Sequence, residues 1–318
     1  MRLVFCGTPR FAVPTLEALL AAHHEIALVV TQPDRPVGRT QELAAPPVKR
    51  LAIDAGLPVM QPEKIRNNSE FRAQLEAIAP DAIVVVAYGR IIPPWMLALP
   101  RLGCLNLHAS LLPKYRGAAP IQWAVAMGET VTGNTTMLLE EGLDTGPILL
   151  QQALAIDPNK TAVDLFEDLA IGGAPLMVHT LDGLASGGVV PGPQDHTRAT
   201  LAPILQREDG RMDFTVRTAT ELKNRWRGFQ PWPGAFTTLK GKNLIVHRLE
   251  VAGGGPGNGS ASAAPGQVIA RNARLFVACA QSTWLELLEL QLEGKKRMQA
   301  SEFLRGLPLT PQSEFRLG

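Results

Sequence analysis

Ala82-Ile83-Val84-Val85-Val86-Ala87 is an unbroken apolar run, with no polar residue to mark a solvent face. Such continuity suits a strand buried on both sides of a parallel sheet, whereas a half-exposed strand alternates. Outward from it the pattern recurs. Apolar runs at 3–6, 25–31, 57–61 and 102–107 alternate with helical spacing over 12–22, 47–55 and 69–78. This alternation predicts a doubly wound α/β sheet, mostly parallel and Rossmann-like. Runs at 132–140 and 147–155 are read as strands that extend it. Residues 162–184 are read as one long helix, interrupted or shifted at Gly172-Gly173.

Periodicity is lost after Gly187-Gly188-Val189-Val190-Pro191-Gly192-Pro193. Beyond it, one helix over 216–226 and short strands at 234–239, 244–250, 266–269, 274–279 and 284–289 predict a small, OB-like β-barrel. The expected division is a catalytic domain over 1–188, a linker over 189–207 and a C-terminal β-barrel domain over 208–318. The insert at 253–265 is almost entirely Gly, Ser, Ala, Asn and Pro and reads as a surface loop.

A chain of 318 residues is long enough for two cores, and 46% hydrophobic with 19% charged residues describes an ordinary globular protein. Cys6, Cys104 and Cys279 lie far apart. With no Cys-x-x-Cys pair and no His/Cys cluster at ligand spacing, reduced thiols and no metal are expected. No apolar run approaches the roughly 20 residues of a membrane span, and no secretory leader is recognisable; the expectation is cytoplasmic, with no membrane partner. Charge is uneven: residues 208–318 hold 15 Lys and Arg against 10 Asp and Glu, and residues 1–207 hold 16 against 19. A cationic second domain suits a phosphate-bearing substrate. Gly7-Thr8-Pro9-Arg10-Phe11 offers one glycine where a dinucleotide fingerprint needs three, and no Walker-type loop is present. A nicotinamide enzyme and an NTPase are thereby disfavoured.

The segment Asn106-Leu107-His108-Ala109-Ser110-Leu111-Leu112-Pro113-Lys114-Tyr115-Arg116-Gly117-Ala118-Ala119-Pro120 begins on a strand and ends in residues that cannot continue one. Asn106 and His108, two apart, leave the same face. An amide donor for a developing oxyanion beside an imidazole that moves protons near neutral pH suits acyl-type chemistry. Further on, Glu141-Gly142-Leu143-Asp144-Thr145-Gly146-Pro147 places a carboxylate at a strand exit. Asp144 is either the group that orients His108 or a turn aspartate capping its own backbone.

Asn-x-His-x-Ser-Leu-Leu-Pro, the Tyr-Arg-Gly-Ala-Ala-Pro-Ile after it and Gly-Leu-Asp-Thr-Gly further on together resemble the folate-dependent formyltransferases. The likeness extends to Phe5-Cys6-Gly7-Thr8-Pro9-Arg10-Phe11-Ala12, Thr31-Gln32-Pro33-Asp34-Arg35-Pro36, Val86-Ala87-Tyr88-Gly89-Arg90-Ile91-Ile92-Pro93 and Gly228-Phe229-Gln230-Pro231-Trp232-Pro233-Gly234-Ala235. These are most similar to the branch that acts on initiator methionyl-tRNA. The resemblance implies transfer of the formyl group of 10-formyltetrahydrofolate, a co-substrate, to the free α-amino group of that tRNA, by direct amine attack without a metal. A monomer is expected, although the sequence does not itself reveal the oligomeric state.

The resemblance further implies roles. Asn106 would hydrogen-bond the formyl oxygen, His108 would shuttle the proton and Asp144 would hold the ring. Ser110, Leu111, Leu112 and Pro113 would line the folate site. Val86, Ala87, Tyr88 and Gly89, with Leu139, Glu140, Glu141 and Gly142, would present backbone groups to the pteridine. Phe11 would wall the methionine pocket, or else simply pack in the core. The polar 33–43 loop would reach the tRNA acceptor end through Arg39, although Gln41-Glu42 stands where the family is often basic. Arg225, Arg227, Lys295, Lys296 and Arg297 would steer the tRNA. His23, His24, His179, His196 and His247 show no partner pattern and read as surface or helix histidines. A glycinamide ribonucleotide or sugar-nucleotide formyltransferase, a non-catalytic binding protein and a formate-releasing hydrolase remain alternatives.

Overall fold

The computed structural model describes residues 1–37, 42–257, 263–306 and 316–318. It separates into two compact units. The first holds Met1–Ile121, Thr130–Asp157 and Asp164–Pro203. The second holds Ile204–Gly318 with the short segments Gln122–Glu129 and Pro158–Val163.

The chain opens with β1 (Arg2–Gly7), α1 (Val13–Ala21), β2 (Glu25–Val30), β3 (Arg35–Val37), β4 (Glu42–Ala44), α2 (Pro47–Asp54) and β5 (Val59–Met60). Next come α3 (Ser69–Ile78), β6 (Ala82–Val86), α4 (Pro94–Leu97), β7 (Cys104–His108), α5 (Pro120–Ala126), β8 (Val131–Leu138), β9 (Ile148–Ala155) and α6 (Ala162–Ser186). The sheet of the first unit runs β5-β2-β1-β6-β7-β8-β9. It is parallel from β5 to β7, and β8 and β9 join it antiparallel. Every residue of β6 is buried, as its unbroken apolar run requires. On one face Val4, Cys6, Leu28, Val30, Ile83 and Val85 pack with Phe71 and Leu75 of α3 and Met96 of α4. Each such side chain contributes about 1.5–3 kcal/mol on burial. Because β2 and β6 flank β1, the strand order reverses there, and the crevice beyond the strand ends is where α/β sheets place ligands.

The second unit contains α7 (Ala219–Gly228), β10 (Phe236–Leu239), β11 (Lys242–Ala252), β12 (Val268–Arg271), β13 (Arg274–Ala278), β14 (Trp284–Leu292), β15 (Met298–Gln299) and α8 (Ala300–Arg305). Its antiparallel sheet runs β10-β11-β14-β13-β12, with β15 on β14. Single bridges from Leu317 to Leu239 and from Arg316 to Gln267 tie its two ends together. The interior is apolar, with Leu244, Val246, Leu275, Val277, Leu285 and Leu287 at its centre.

Several expectations are corrected. The long helix is unbroken at Gly172-Gly173. The glycines instead admit the sheet, since a Cβ at Gly173 would sit 2.6 Å from Leu107. The helix expected from 216 begins at Ala219, because Thr218 and Glu221 form a reciprocal capping box. The polar 33–43 loop contains a hairpin pairing Arg35 with Ala44 and Val37 with Glu42. Arg39 and Gln41 lie outside the described residues, as does part of the 253–265 insert. The 189–207 stretch lacks strands and α-helices but is not loose. Gly192 pairs with Ile148 in both directions at 2.8 Å, and Thr200 and Ala202 bond to Arg116.

The three thiols are buried, which raises all of their pKa values, those of Cys104 and Cys279 to about 12. Gly133 on β8 offers a sharp test of packing, because a Cβ there would fall 2.1 Å from the Gln152 carbonyl oxygen. Gly133→Ala is expected to destabilise the fold by about 1–3 kcal/mol, the cost of ordinary overpacking, or more, measured by urea unfolding.

Candidate active site

β7 alternates Leu105 and Leu107 on one face with Asn106 and His108 on the other. Asn106 lies between Val85 of β6 and Met137 of β8, and His108 lies opposite Thr135. The two polar side chains therefore occupy successive positions on one face at the strand's exit. Asn106 is only partly buried, and its amide takes no protein partner among the described residues.

The His108 ring is 6% exposed and held from both sides. Its Nε2 lies 2.9 Å from the Tyr115 carbonyl oxygen. A carbonyl can only accept, so Nε2 carries the hydrogen and the neutral ring keeps its lone pair on Nδ1. Nδ1 lies 3.6 Å from Asp144 Oδ2, within ion-pair reach but beyond a hydrogen bond. That oxygen accepts the Gly117 backbone N–H at 2.8 Å. A proton gained at Nδ1 thus appears beside an anchored carboxylate. The Asp144 side chain thus faces the ring, and the residue sits at φ +50° in its turn.

The turn after β7 is pinned from below. The buried Thr135 hydroxyl donates to Ser110 O at 2.6 Å and receives the Leu112 N–H at 3.1 Å. Gln151 Nε2 donates to Leu112 O and to Thr135 Oγ1, both at 2.9 Å. Consequently the side chains of Ser110 and Leu112 face inward, and Ser110 Oγ is engaged by Lys114 O at 2.6 Å. Leu111 and Pro113 retain exposed surface. At the β6 exit, Val86 and Tyr88 are buried while Ala87 and Gly89 are exposed, both with positive φ. Tyr88 belongs to the core, where burial raises its pKa, so this segment can offer a ligand backbone groups but not the phenol. Glu140, Glu141 and Gly142 are exposed, and Leu139 is half-buried with its N–H on Cys104 O.

Sequence reasoning missed a layer of polar residues. Thr8 Oγ1 and Gln32 Nε2 both donate to Tyr88 O, at 3.2 and 3.1 Å, tying the exits of β1, β2 and β6. Arg90 Nε reaches Gln32 Oε1 at 3.0 Å. Asp34 is held by Gln61 and Lys49, which lower its pKa. Their place just beyond strand ends was the available signal.

Other candidates fall elsewhere. Phe11 is buried, with its ring edge-on to Phe166 at 5.1 Å. Within the second unit, Arg227 is 4% exposed and donates to Lys160 O and Asn224 Oδ1, each at 2.8 Å. Arg225 lies over Phe229 at 4.8 Å and donates to Asp209 O at 2.8 Å; burial lowers its pKa. Arg227 is thus a buried packing residue, a correction to its expected steering role, whereas Arg225 keeps part of its surface exposed. Arg297 pairs with Glu289, and Lys295 and Lys296 are exposed. Groups of His, Cys, Asp or Glu able to hold a metal are absent among the described residues.

Residues 1–181 match the family model described as formyl transferase, and residues 204–308 match that of the formyl transferase C-terminal domain. The chain belongs to the formyl transferase family. It is 67% identical to a methionyl-tRNA formyltransferase of Acidobacterium capsulatum, over all of both chains. A protein of the same name from Koribacter versatilis is 56% identical over 100% of this chain and 99% of its own. Among solved structures, a sugar 3N-formyl transferase in the presence of dTDP and 5-N-formyl-THF aligns with a TM-score of 0.65. It covers 93% of this chain and 99% of its own at 17% identity, a likeness of fold.

The burial of Arg227 makes it a stability residue. Arg227→Met should cost about 1–3 kcal/mol for each acceptor left unpaired, whereas Lys295→Ala with Lys296→Ala should change stability by less than about 0.5 kcal/mol. Urea unfolding of the two variants checks the contrast.

Proposed function

We propose that this chain transfers the formyl group of 10-formyltetrahydrofolate to the α-amino group of initiator methionyl-tRNA, using Asn106, His108 and Asp144. The observation that carries the reading is the His108 ring, held between the Tyr115 carbonyl and the Asp144 carboxylate, two residues along the strand from an amide without a protein partner among the described residues. The acceptor comes from the name shared by relatives 67% and 56% identical over the full chain.

The folate supplies the one-carbon unit on its N10. Exposed groups at Ala87, Gly89 and Glu140–Gly142, with Leu111 and Pro113, fit the edge and face of a flat ring system beside Asn106. A free α-amine titrates near about 7.7–8.0, so a useful fraction is neutral at cellular pH and needs no metal to become nucleophilic. Asn106 donates to the formyl oxygen as negative charge grows there. His108 takes the ammonium proton at Nδ1, where Asp144 offsets the new charge, and returns it toward the departing folate nitrogen. Phe11 walls the methionine pocket in this scheme. Arg39, which follows β3 in the sequence, meets the acceptor end, and the exposed Lys295 and Lys296 contribute to the cationic 208–318 domain's attraction for phosphate.

Two experiments test this. Offered charged initiator tRNA, charged elongator tRNA, glycinamide ribonucleotide and amino-sugar nucleotides, the enzyme should formylate the initiator tRNA best; formylation of a sugar nucleotide and no tRNA would overturn the reading. Asn106→Ala should lower kcat by about 10²–10³-fold and His108→Ala by about 10²–10⁴-fold with the fold intact. Near-normal single-turnover rates in either variant would remove that residue from the mechanism.

A further inference from the structure

Gln194 lies in the stretch expected to be a linker, in no strand or helix, yet it is only 6% exposed. Its Nε2 donates to the Asp144 carbonyl at 2.9 Å and to the Gly146 carbonyl at 2.7 Å. Its Oε1 accepts Arg116 Nε at 3.2 Å and Nη2 at 2.6 Å. The orientation of the amide is unambiguous, because carbonyls cannot donate and a guanidinium cannot accept. Both donors and both lone pairs are therefore used.

Arg116 is itself buried and has no carboxylate within ion-pair distance among the described residues. Its remaining side-chain contact is His196 Nδ1, 3.0 Å from Nη2; His196 is exposed, as expected of it, and joins the network from the surface. A charged fork is thus kept under the turn and directed at the single amide oxygen that it polarises.

The turn being held is the one that aims Asp144. Residue 144 has a left-handed backbone, and Gly146 allows no side chain, since a Cβ there would lie 1.9 Å from Leu138 O. The Asp144 side chain is 13% exposed and reaches His108 only at 3.6 Å, so a small rotation toward water would uncouple the pair.

We propose that Gln194, backed by Arg116, is a positioning residue for formyl transfer. It clamps the carbonyls of residues 144 and 146 so that the Asp144 carboxylate stays between the Gly117 N–H and His108 Nδ1. The inference rests on the proposed role of Asp144 as the partner of the catalytic ring. An amide suits the position because the turn demands two donors on one side and Arg116 demands an acceptor on the other. A carboxylate would satisfy Arg116 but face two carbonyl oxygens with lone pairs.

That asymmetry makes Gln194→Glu the decisive variant, with Gln194→Met, which loses every hydrogen bond, beside it. Each is assayed for kcat and for both KM values, alone and combined with Asp144→Asn, and urea midpoints report folding. Misplacing the carboxylate should lower kcat between about tenfold and a hundredfold. Both KM values should stay within about threefold, and the combined variant should be no slower than Asp144→Asn alone. Wild-type kcat in Gln194→Glu would show that only the Arg116 contact matters and would overturn the proposal. So would a slow Asp144→Asn enzyme on which the Gln194 loss multiplies in full. If Asp144→Asn itself runs at the wild-type rate, the reading of Asp144 fails first and takes this inference with it.

Discussion

The imidazole of His108 has no idle nitrogen, and the organisation of the candidate site follows from that. Donation of Nε2–H to the Tyr115 carbonyl settles the tautomer, because a backbone carbonyl can only accept. The lone pair is left on Nδ1, facing Asp144. A ring free to turn would lose both the defined acceptor and the nearby countercharge. The surrounding contacts are best understood as holding that one ring and that one carboxylate in register.

Two kinds of scaffold share this task. The ring stands on β7, inside a sheet that is hydrogen-bonded on both sides, so its direction is inherited from rigid secondary structure. The carboxylate stands on a turn, whose direction must be imposed by side chains. Gly117 N–H holds its Oδ2 and Gln194 holds the backbone behind it. Ala87, Tyr115 and Asp144 all adopt positive φ, each at roughly 1–2 kcal/mol for a residue with a Cβ. Such conformations persist only where neighbours over-determine them: Thr8 and Gln32 hold the carbonyl next to Ala87, Thr200 holds the Tyr115 N–H, and the buried Gln194 holds the Asp144 carbonyl.

How legible all this was in the sequence depended on the kind of signal. Apolar continuity is a strong one: the run Ile83-Val84-Val85-Val86 can hardly be anything but a strand covered on both faces, and α3 was readable over its full length from its apolar spacing. Pairs at fixed short separation were also readable, since Asn106 and His108 share a face by strand geometry alone. Signals of composition were weaker. Two adjacent glycines looked like a helix break, but their lack of Cβ instead serves close approach to Leu107. Charged residues looked like surface, but Arg227 is buried by packing within its own unit, which no one-dimensional pattern encodes. The Gly- and Pro-rich stretch around Gln194 looked passive for want of periodicity, because its backbone groups bond to Ile148 and Arg116 across long sequence separations.

From the chain alone came the alternating architecture, the two-part division as an expectation, and the chemical identity of an amide, an imidazole and a carboxylate suited to acyl-type chemistry. These are consequences of local periodicity and of residue type. Tertiary structure decided which nitrogen of His108 is protonated, that Asp144 faces the ring at ion-pair distance, and that a glutamine fifty residues further on holds it there. Hydrogen-bond partners are set by distance in space, and the chain's order along its length carries no record of that until it has folded.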